Sequence, residues 1–521
     1  MQGRHGAALA LILAAILLLP AAAVAKRPPK GGGGGGSSGG GTVSTTSTYV
    51  KDYANVVDGV EHDLVPVDVQ PTPDGGAVTL ALTSAPSPTG AGTGPGVSWL
   101  LKTNAVGAPQ WQEEVGCLST PPGAFSDELS LELTSDGGYV IAGGTIGCGS
   151  GDDCPALSGI QCGLIERIDA SGQLEWARVY DVGADGTEFH AIASTSDGGF
   201  VVAGSATNTS HDLGGLVVKL DGSGNVQWQR QIGPTGSDQV YLHDIRQTSD
   251  GGYVSAGQLH DGSTTNTGAP LESALVAKLD ANGNVSWLHA YDNVGSGGGV
   301  TATVHALSIV QTAGGGYAVG GNWGTPTSLN PSGALLLRLT ANGSIQSQTA
   351  YSGGLYCLDT ETCTQLGGAV NSLHQTADGG FVLAGDADLI QAGEPGLVPW
   401  LAKVDGSGAI VWQEQDYQVT TSGGALSQYF AASALNPVGP LAVGPTENYG
   451  NGHDELLAVQ ADGNGAVGNC SQVHPGSPLT AIDPGLTELT PDVTISATPV
   501  SQSPSTAQTL STTTTATPAQ C

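Results

Sequence analysis

A unit of about 60 residues recurs along this chain, and an internal repeat of that length constrains the fold more than length or composition can. Its clearest marker is a turn followed by a strand: Asp136-Gly-Gly-Tyr-Val-Ile-Ala-Gly, Asp197-Gly-Gly-Phe-Val-Val-Ala-Gly, Asp250-Gly-Gly-Tyr-Val-Ser-Ala-Gly and Asp378-Gly-Gly-Phe-Val-Leu-Ala-Gly. Weaker copies start at Asp74 and Gly314, and a degenerate one runs from Pro437 to Gly444, which makes seven. A second marker follows each first one, as an apolar strand, a basic residue, a polar turn and a strand carrying Trp. It reads Leu216-Val-Val-Lys-Leu-Asp-Gly-Ser-Gly-Asn-Val-Gln-Trp228, Leu275-Val-Ala-Lys-Leu-Asp-Ala-Asn-Gly-Asn-Val-Ser-Trp287 and Leu401-Ala-Lys-Val-Asp-Gly-Ser-Gly-Ala-Ile-Val-Trp412. Further copies carry Trp111 and Trp176, whereas the unit starting at Leu335 has Ser347 and the last, Leu457 to Gly468, has lost the Trp.

Short runs of Val, Leu, Ile and aromatics bounded by Asp-Gly-Gly or Asp-x-x-Gly-Asn are strands joined by tight hairpin turns. Gly supplies positive φ, and the Asp side chain bonds the turn backbone. Each unit then holds four strands, for example Phe189 to Ser194, Phe200 to Ser205, Leu216 to Leu220 and Val226 to Ile232. A sheet of that size cannot bury both faces alone, so it needs like neighbours on each side. The expected architecture is all-β: a seven-bladed β-propeller of four-stranded antiparallel blades. The segment Ser47 to Gly59 matches the end of a repeat, as in Trp176 to Gly186. It is a surplus fourth strand, expected to complete the last blade and close the ring. An open β-solenoid or a pair of sandwiches is the rival arrangement.

Between Tyr49 and Val473 the repeats resemble the secreted bacterial propeller repeats with the signature Thr-Ser-Asp-Gly-Gly-Tyr followed by a Val/Ile-rich strand ending Ala-Gly. Thr134 to Gly143 and Thr248 to Gly257 match that signature. The units are also similar, at the level of fold, to the quinoprotein-type propeller, in which a Leu-Asp-x-x-Gly-x-x-x-Trp segment docks its Trp between adjacent blades. The resemblance implies blade packing for Trp111, Trp176, Trp228, Trp287 and Trp412. It implies little about activity, because a fold hosts many functions.

Composition fixes the setting. With 14 Lys and Arg against 46 Asp and Glu, the formal charge is −32. Such a chain repels phosphate backbones and anionic lipid headgroups, so nucleic acid is not an expected partner. Residues 1–25 read as a secretory signal peptide, with Arg4 and His5 before an apolar run from Ala7 to Leu19 and a small-residue cut after Ala23-Val24-Ala25. No later segment is long and apolar enough to cross a membrane as a helix. Residues 26–46, Lys/Arg/Pro and then the Gly/Ser tract Gly31 to Gly41, read as a flexible linker. The propeller is assigned to 47–473, and 474–521 to a Thr/Ser/Pro-rich tail, either a stalk or an extended segment tied back through Cys521.

All eight cysteines follow the signal, so disulfides are expected in an oxidising periplasmic or extracellular compartment. The preferred pairs are Cys148 with Cys154, Cys357 with Cys363, Cys117 with Cys162 and Cys470 with Cys521, although spacing alone cannot fix connectivity. Zinc is the competing reading, disfavoured because there is no Cys-x-x-Cys and no His at ligand spacing.

If both tight turns of each unit lie on one face of the disc, the long connections share the other. These are Ser205 to Gly215, Gln258 to Ser273, Asn322 to Gly333, Asp386 to Pro399 and Pro445 to Glu455. Variable connections on a rigid scaffold are where binding resides, so this rim is the candidate interaction surface. His190, His243 and His305 lie near the start of the innermost strand and are weak metal candidates, with hydrogen-bonded structural histidines as the alternative. The turns at Asp169, Asp221, Asp280 and Asp405 lack the further carboxylates of a calcium cage, so capping is preferred to Ca2+. No cofactor is predicted. Gly-x-Ser-x-Gly occurs only within the Gly31 to Gly41 tract, which is not a strand-to-helix elbow, and no His-Glu-x-x-His pair or phosphate loop is present. The sequence therefore points to a secreted, noncatalytic, monomeric propeller binding a protein or glycan. The alternatives are a structural or adhesive surface protein, or a secreted enzyme at the channel mouth using calcium or a quinone.

Overall fold

The computed structural model describes residues 48–518, apart from 58–59, 87–92, 118–128, 146–160, 182–185, 208–212, 235–238, 265–269, 293–302, 325–332, 353, 358–362, 392–393, 416–428, 447–454, 468–479, 483–486, 490–492, 497–500, 505–506 and 512. The expected signal peptide, the linker, Cys148, Cys154, Cys470 and Cys521 lie outside these residues. Every regular element among those described is a strand.

Seven antiparallel four-stranded sheets follow one another as the repeat predicts. From the innermost strand outward, blade one is Leu64–Pro71, Ala77–Pro86, Thr93–Thr103 and Pro109–Cys117. Blade two is Ser130–Leu133, Tyr139–Thr145, Cys162–Ile168 and Leu174–Asp181. Blade three is Thr187–Ser194, Phe200–Thr207, Leu213–Leu220 and Val226–Pro234. Blade four is Gln239–Gln247, Tyr253–Thr264, Pro270–Leu279 and Val285–Asp292. Blade five is Thr303–Gln311, Tyr317–Gly324, Gly333–Leu339 and Ile345–Ser352. Blade six is Gly368–Gln375, Phe381–Gln391, Glu394–Val404 and Ile410–Gln415.

Blade seven closes the ring. Its inner three strands are Ala432–Leu435, Pro440–Thr446 and Glu455–Gln460. Its fourth is the N-terminal strand Tyr49–Val57, paired in register from Tyr49↔Gln460 to Tyr53↔Leu456. The arrangement is thus the seven-bladed propeller closed by an N-terminal strand.

The core sits between blades. One apolar cluster joins Ala191, Val201 and Val217 of blade three to Leu242, Tyr253 and Leu275 of blade four, all buried. Another joins blades four and five through Val254, Val276, Val304 and Leu335. Each sheet therefore buries its faces only by standing beside its neighbours.

The Asp of the first marker holds two turns together. In blade four, Thr248 Oγ1 and the Gly252 amide donate to Asp250 Oδ1 at 2.5 and 3.0 Å. Lys278 of the second marker pairs with the same carboxylate at 3.0 Å. Lys102–Asp74, Arg167–Asp136, Lys219–Asp197 and Lys403–Asp378 repeat the arrangement. Blade five has Gly314 in place of the Asp, and its Arg338 bonds the Gly406 carbonyl of blade six instead.

Two of the expected long loops are in large part extended hairpins. The ladder of blade four continues through His260↔Glu272 to Thr264↔Pro270, and that of blade six through Asp386↔Pro399 to Gln391↔Glu394. The second and third strands simply keep pairing, which satisfies backbone groups that a loop would leave to water. A separate small hairpin, Gly354–Cys357 with Cys363–Leu366, sets Cys357 opposite Cys363.

The C-terminal segment also forms strands. Thr480–Ile482, Thr487–Leu489, Val493–Ser496, Ser501–Pro504, Ala507–Ser511 and Thr513–Pro518 pair with the outer strands of blades five, four, three, two, one and seven in turn. Among the described residues blade six carries no fifth strand.

Candidate functional site

The innermost strand of five blades contains a one-residue bulge. Its register skips Val67, His190, His243, Leu307 and Asn371. A bulge adds an unpaired residue and re-aims its side chain. In four of these five blades a glycine stands opposite the residue before the bulge, where blade one has Ala81. In blades three to six the Gly that ends the signature strand, Gly204, Gly257, Gly321 or Gly385, lies so close to the opposing strand that a Cβ would meet a carbonyl oxygen at 1.9–2.0 Å. Only glycine permits that approach.

These bulged residues line one cavity of about 570 Å³, together with Leu129, Ala431, Val65, Pro66 and Tyr429. Leu129 and Ala431 hold the matching place in blades two and seven, directly before the first paired residues Ser130 and Ala432. Every blade thus contributes the residue at one repeat position. The inner strands begin where the connections between blades arrive, so this mouth opens on the long-connection face.

His190 and His243 stack with ring centroids 5.7 Å apart and planes 19° from parallel. His190 Nδ1 lies 3.0 Å from the Leu242 carbonyl, so that nitrogen carries the proton. Its Nε2 lies 3.5 Å from Glu188. His305 is placed elsewhere: its Nε2 is 2.6 Å from Glu272 Oε2, and His260 Nδ1 is 3.8 Å from the other oxygen. The His305 hydrogen bond holds the Glu272 carboxyl below the usual range. Two of the three candidate histidines therefore meet. The third stands two residues before the bulge, where blade five has Leu307. Among the described residues, no three His, Cys, Asp or Glu side chains are placed to hold a metal ion.

One to three residues further along the inner strands lies a charged group that the sequence reading passed over. Arg246 of blade four lies 3.3 Å from Asp244 and 3.7 Å from Glu132 of blade two. Burial pushes Asp68 up to about 7 and also raises Glu132. Asp68 accepts the Leu131 amide of blade two, and Asp244 the Ile309 amide of blade five, both at 2.8 Å, so these carboxylates tie neighbouring inner strands. Burial lowers His374. Its Nε2 faces the Ser433 carbonyl at 2.6 Å and so donates there, which leaves Ser372 Oγ, 3.5 Å away, without a base in that nitrogen. The only sequence signal for this group was a charged residue inside an inner strand, as in Asp244-Ile-Arg246.

The repeated Trp side chains lie beside the tight turns. Trp111, Trp176, Trp228, Trp287 and Trp412 each lie against the positive-φ glycine of the next blade's second turn, Gly172, Gly224, Gly283, Gly343 and Gly465. Buried Tyr53, Tyr180, Tyr291 and Tyr351 donate to the Gly107, Gly224, Gly343 and Gly408 carbonyls at 2.6–2.8 Å. Asp169, Asp221, Asp280 and Asp405 accept amides of their own turns, as Asp221 does from Ser223 and Asn225 at 2.9 and 2.8 Å. Cys162 is disulfide-bonded.

No family model matches the chain, and no curated protein does. Among solved structures, rhamnogalacturonan lyase YesW is similar at 12% identity over 78% of this chain and 90% of that one, with a TM-score of 0.29. The exotype rhamnogalacturonan lyase YesX gives 13% identity over 82% of this chain and 71% of that one, with a TM-score of 0.23. Scores of that size carry no weight for either fold or activity.

Proposed function

We propose that this chain is an exported, noncatalytic propeller that binds a protein segment or a glycan on its long-connection face, anchored in the cavity at the channel mouth. The observation that carries the reading is the convergence of one residue from the same position of all seven blades on that cavity. A repeat position that serves packing largely keeps one chemistry, as Trp does in five of the seven copies. This one varies through Val67, Leu129, His190, His243, Leu307, Asn371 and Ala431. A concave site with apolar walls and a few polar groups suits a ligand with both characters.

The formal charge of −32 speaks against nucleic acid as the partner. A disulfide at Cys162 and the opposed Cys357 and Cys363 suit an oxidising compartment. The turn aspartates accept amides of their own turns, which supports capping as their role.

The test is glycan-array binding and affinity capture with the full chain, repeated with His190→Ala/His243→Ala and with residues 258–273 replaced. Binding at least tenfold weaker in the histidine variant, at an unchanged melting temperature, is expected. Undiminished binding by that variant removes the cavity from the site.

A further inference from the structure

We infer that the C-terminal segment 480–518 is a strap that runs round the propeller and locks the ring by clamping its closing strand from the outside. In blade seven the N-terminal strand is not an edge. Lys51, Asp52 and Tyr53 pair with Ala458, Leu457 and Leu456 on one side and with Pro518, Thr517 and Ala516 on the other. Over Lys51 to Tyr53 both flanks of the strand that shuts the ring therefore come from the C-terminal part of the chain, while Asn55 to Val57 also pair with Val60–His62. A closing strand with one neighbour frays like any sheet edge, and local opening begins at such elements. With neighbours on both sides it has no free edge over those residues.

The route of the strap supports the same reading. Its six stretches begin at residues 480, 487, 493, 501, 507 and 513, six to eight residues apart, and meet successive blades in descending order. Each pairs with the last residues of an outer strand: Ala350 to Ser352, Ala290 to Asp292, Gln231 to Pro234, Arg178 to Asp181, Glu113 to Cys117 and Lys51 to Val56. Pro504 and Pro518 stand at the ends of their paired stretches, and Pro484, Pro491 and Pro499 fall between such stretches. Five of the six paired stretches contain Thr, a residue enriched in strands. Residues 493–521 contain no charged side chain, so the acidic propeller does not repel them. Exposed outer edges are templates for association with other chains, and a strap covers them.

Hydrogen exchange on the intact chain tests the inference. Protection of amides within 480–518, and of Lys51 to Val56, is expected. Exchange of 480–518 at the rate of unstructured chain overturns it without any variant. Thr515→Pro/Ala516→Pro, which removes donors beside the closing strand, is expected to raise exchange at Lys51 to Val56 by at least tenfold and to lower the melting temperature. Thr498→Pro, between two paired stretches, leaves both unchanged. Exchange at Lys51 to Val56 that stays at the wild-type rate in the first variant also overturns the inference.

Discussion

Glu166 carries a buried carboxyl group that works against the propeller's stability. It is fully buried in the third strand of blade two, in the place that blades three to six give to Val218, Ala277, Leu337 and Ala402. Neither of its carboxylate oxygens has a hydrogen-bond partner. Desolvation pushes it up to about 8 from an ordinary 4.5. The sign follows directly: an acid harder to ionise folded than unfolded destabilises progressively as pH rises from about 4.5 to about 8. Glu166→Gln keeps the shape and removes the charge. It is expected to gain about 2 kcal/mol at pH 8 and close to nothing at pH 4, read as melting temperature at both pH values. An equal shift at both would place the cost in packing and not in charge. The sequence carried this residue in view, as Glu166-Arg167 where blades one, three, four and six read apolar-Lys. What it could not show is which of two adjacent charged residues faces the turn and which faces the core.

At the scale of the element, the second turn of each blade is built to receive its neighbour's Trp. Gly283 has φ of 78°, and a Cβ there would lie 2.6 Å from Trp228. Gly251 in the first turn of the same blade has φ of 80°, but a Cβ there meets nothing within 4 Å. The two glycines separate backbone strain from docking. Gly251→Ala is expected to cost about 1 kcal/mol, the ordinary penalty for a side chain in the left-handed region. Gly283→Ala should cost about 1–2 kcal/mol more, because Trp228 must move. Denaturant melts of both variants check this, and equal losses would remove the docking contribution. The bulge is the other element-scale device. The bulged residue stands fourteen positions before the strand-ending glycine in blades three to six, as His190 stands before Gly204. The signature was therefore legible as a turn and strand, while the reason for its final glycine lay in the strand across from it.

For the whole molecule, two sets of carboxylates pull the pH dependence in opposite directions. The turn aspartates Asp136, Asp197 and Asp250 are held at about 2, by Thr hydrogen bonds, turn amides and the Arg or Lys partner, against desolvation. Their stabilisation is present above about 3.8 and is lost as pH falls through 2. They are largely exposed, so each contributes at most about 1 kcal/mol. Glu166 and Asp68, raised to about 8 and about 7, act the other way and destabilise as pH climbs from about 4 to 8. Self-repulsion of a chain with formal charge −32 adds to that loss. The melting temperature is therefore expected to rise as pH is lowered from 8 to about 5 and to drop below about 3. A curve that rises steadily from pH 5 to 8 would contradict this balance.

The order of strands, their antiparallel pairing, the number of blades and the closing strand follow from the sequence, because hairpin turns and period-two strands are local and the repeat states them several times. Three things were settled only in three dimensions. Which residues face the channel depended on a bulge in the pairing of two strands, and no single strand records that. Arg246 and Glu132 meet because blades two and four converge on the channel, more than a hundred residues apart in the chain. The tail's place depended on edges that exist only once the blades are standing, so composition alone left it between a stalk and an extended segment tied back.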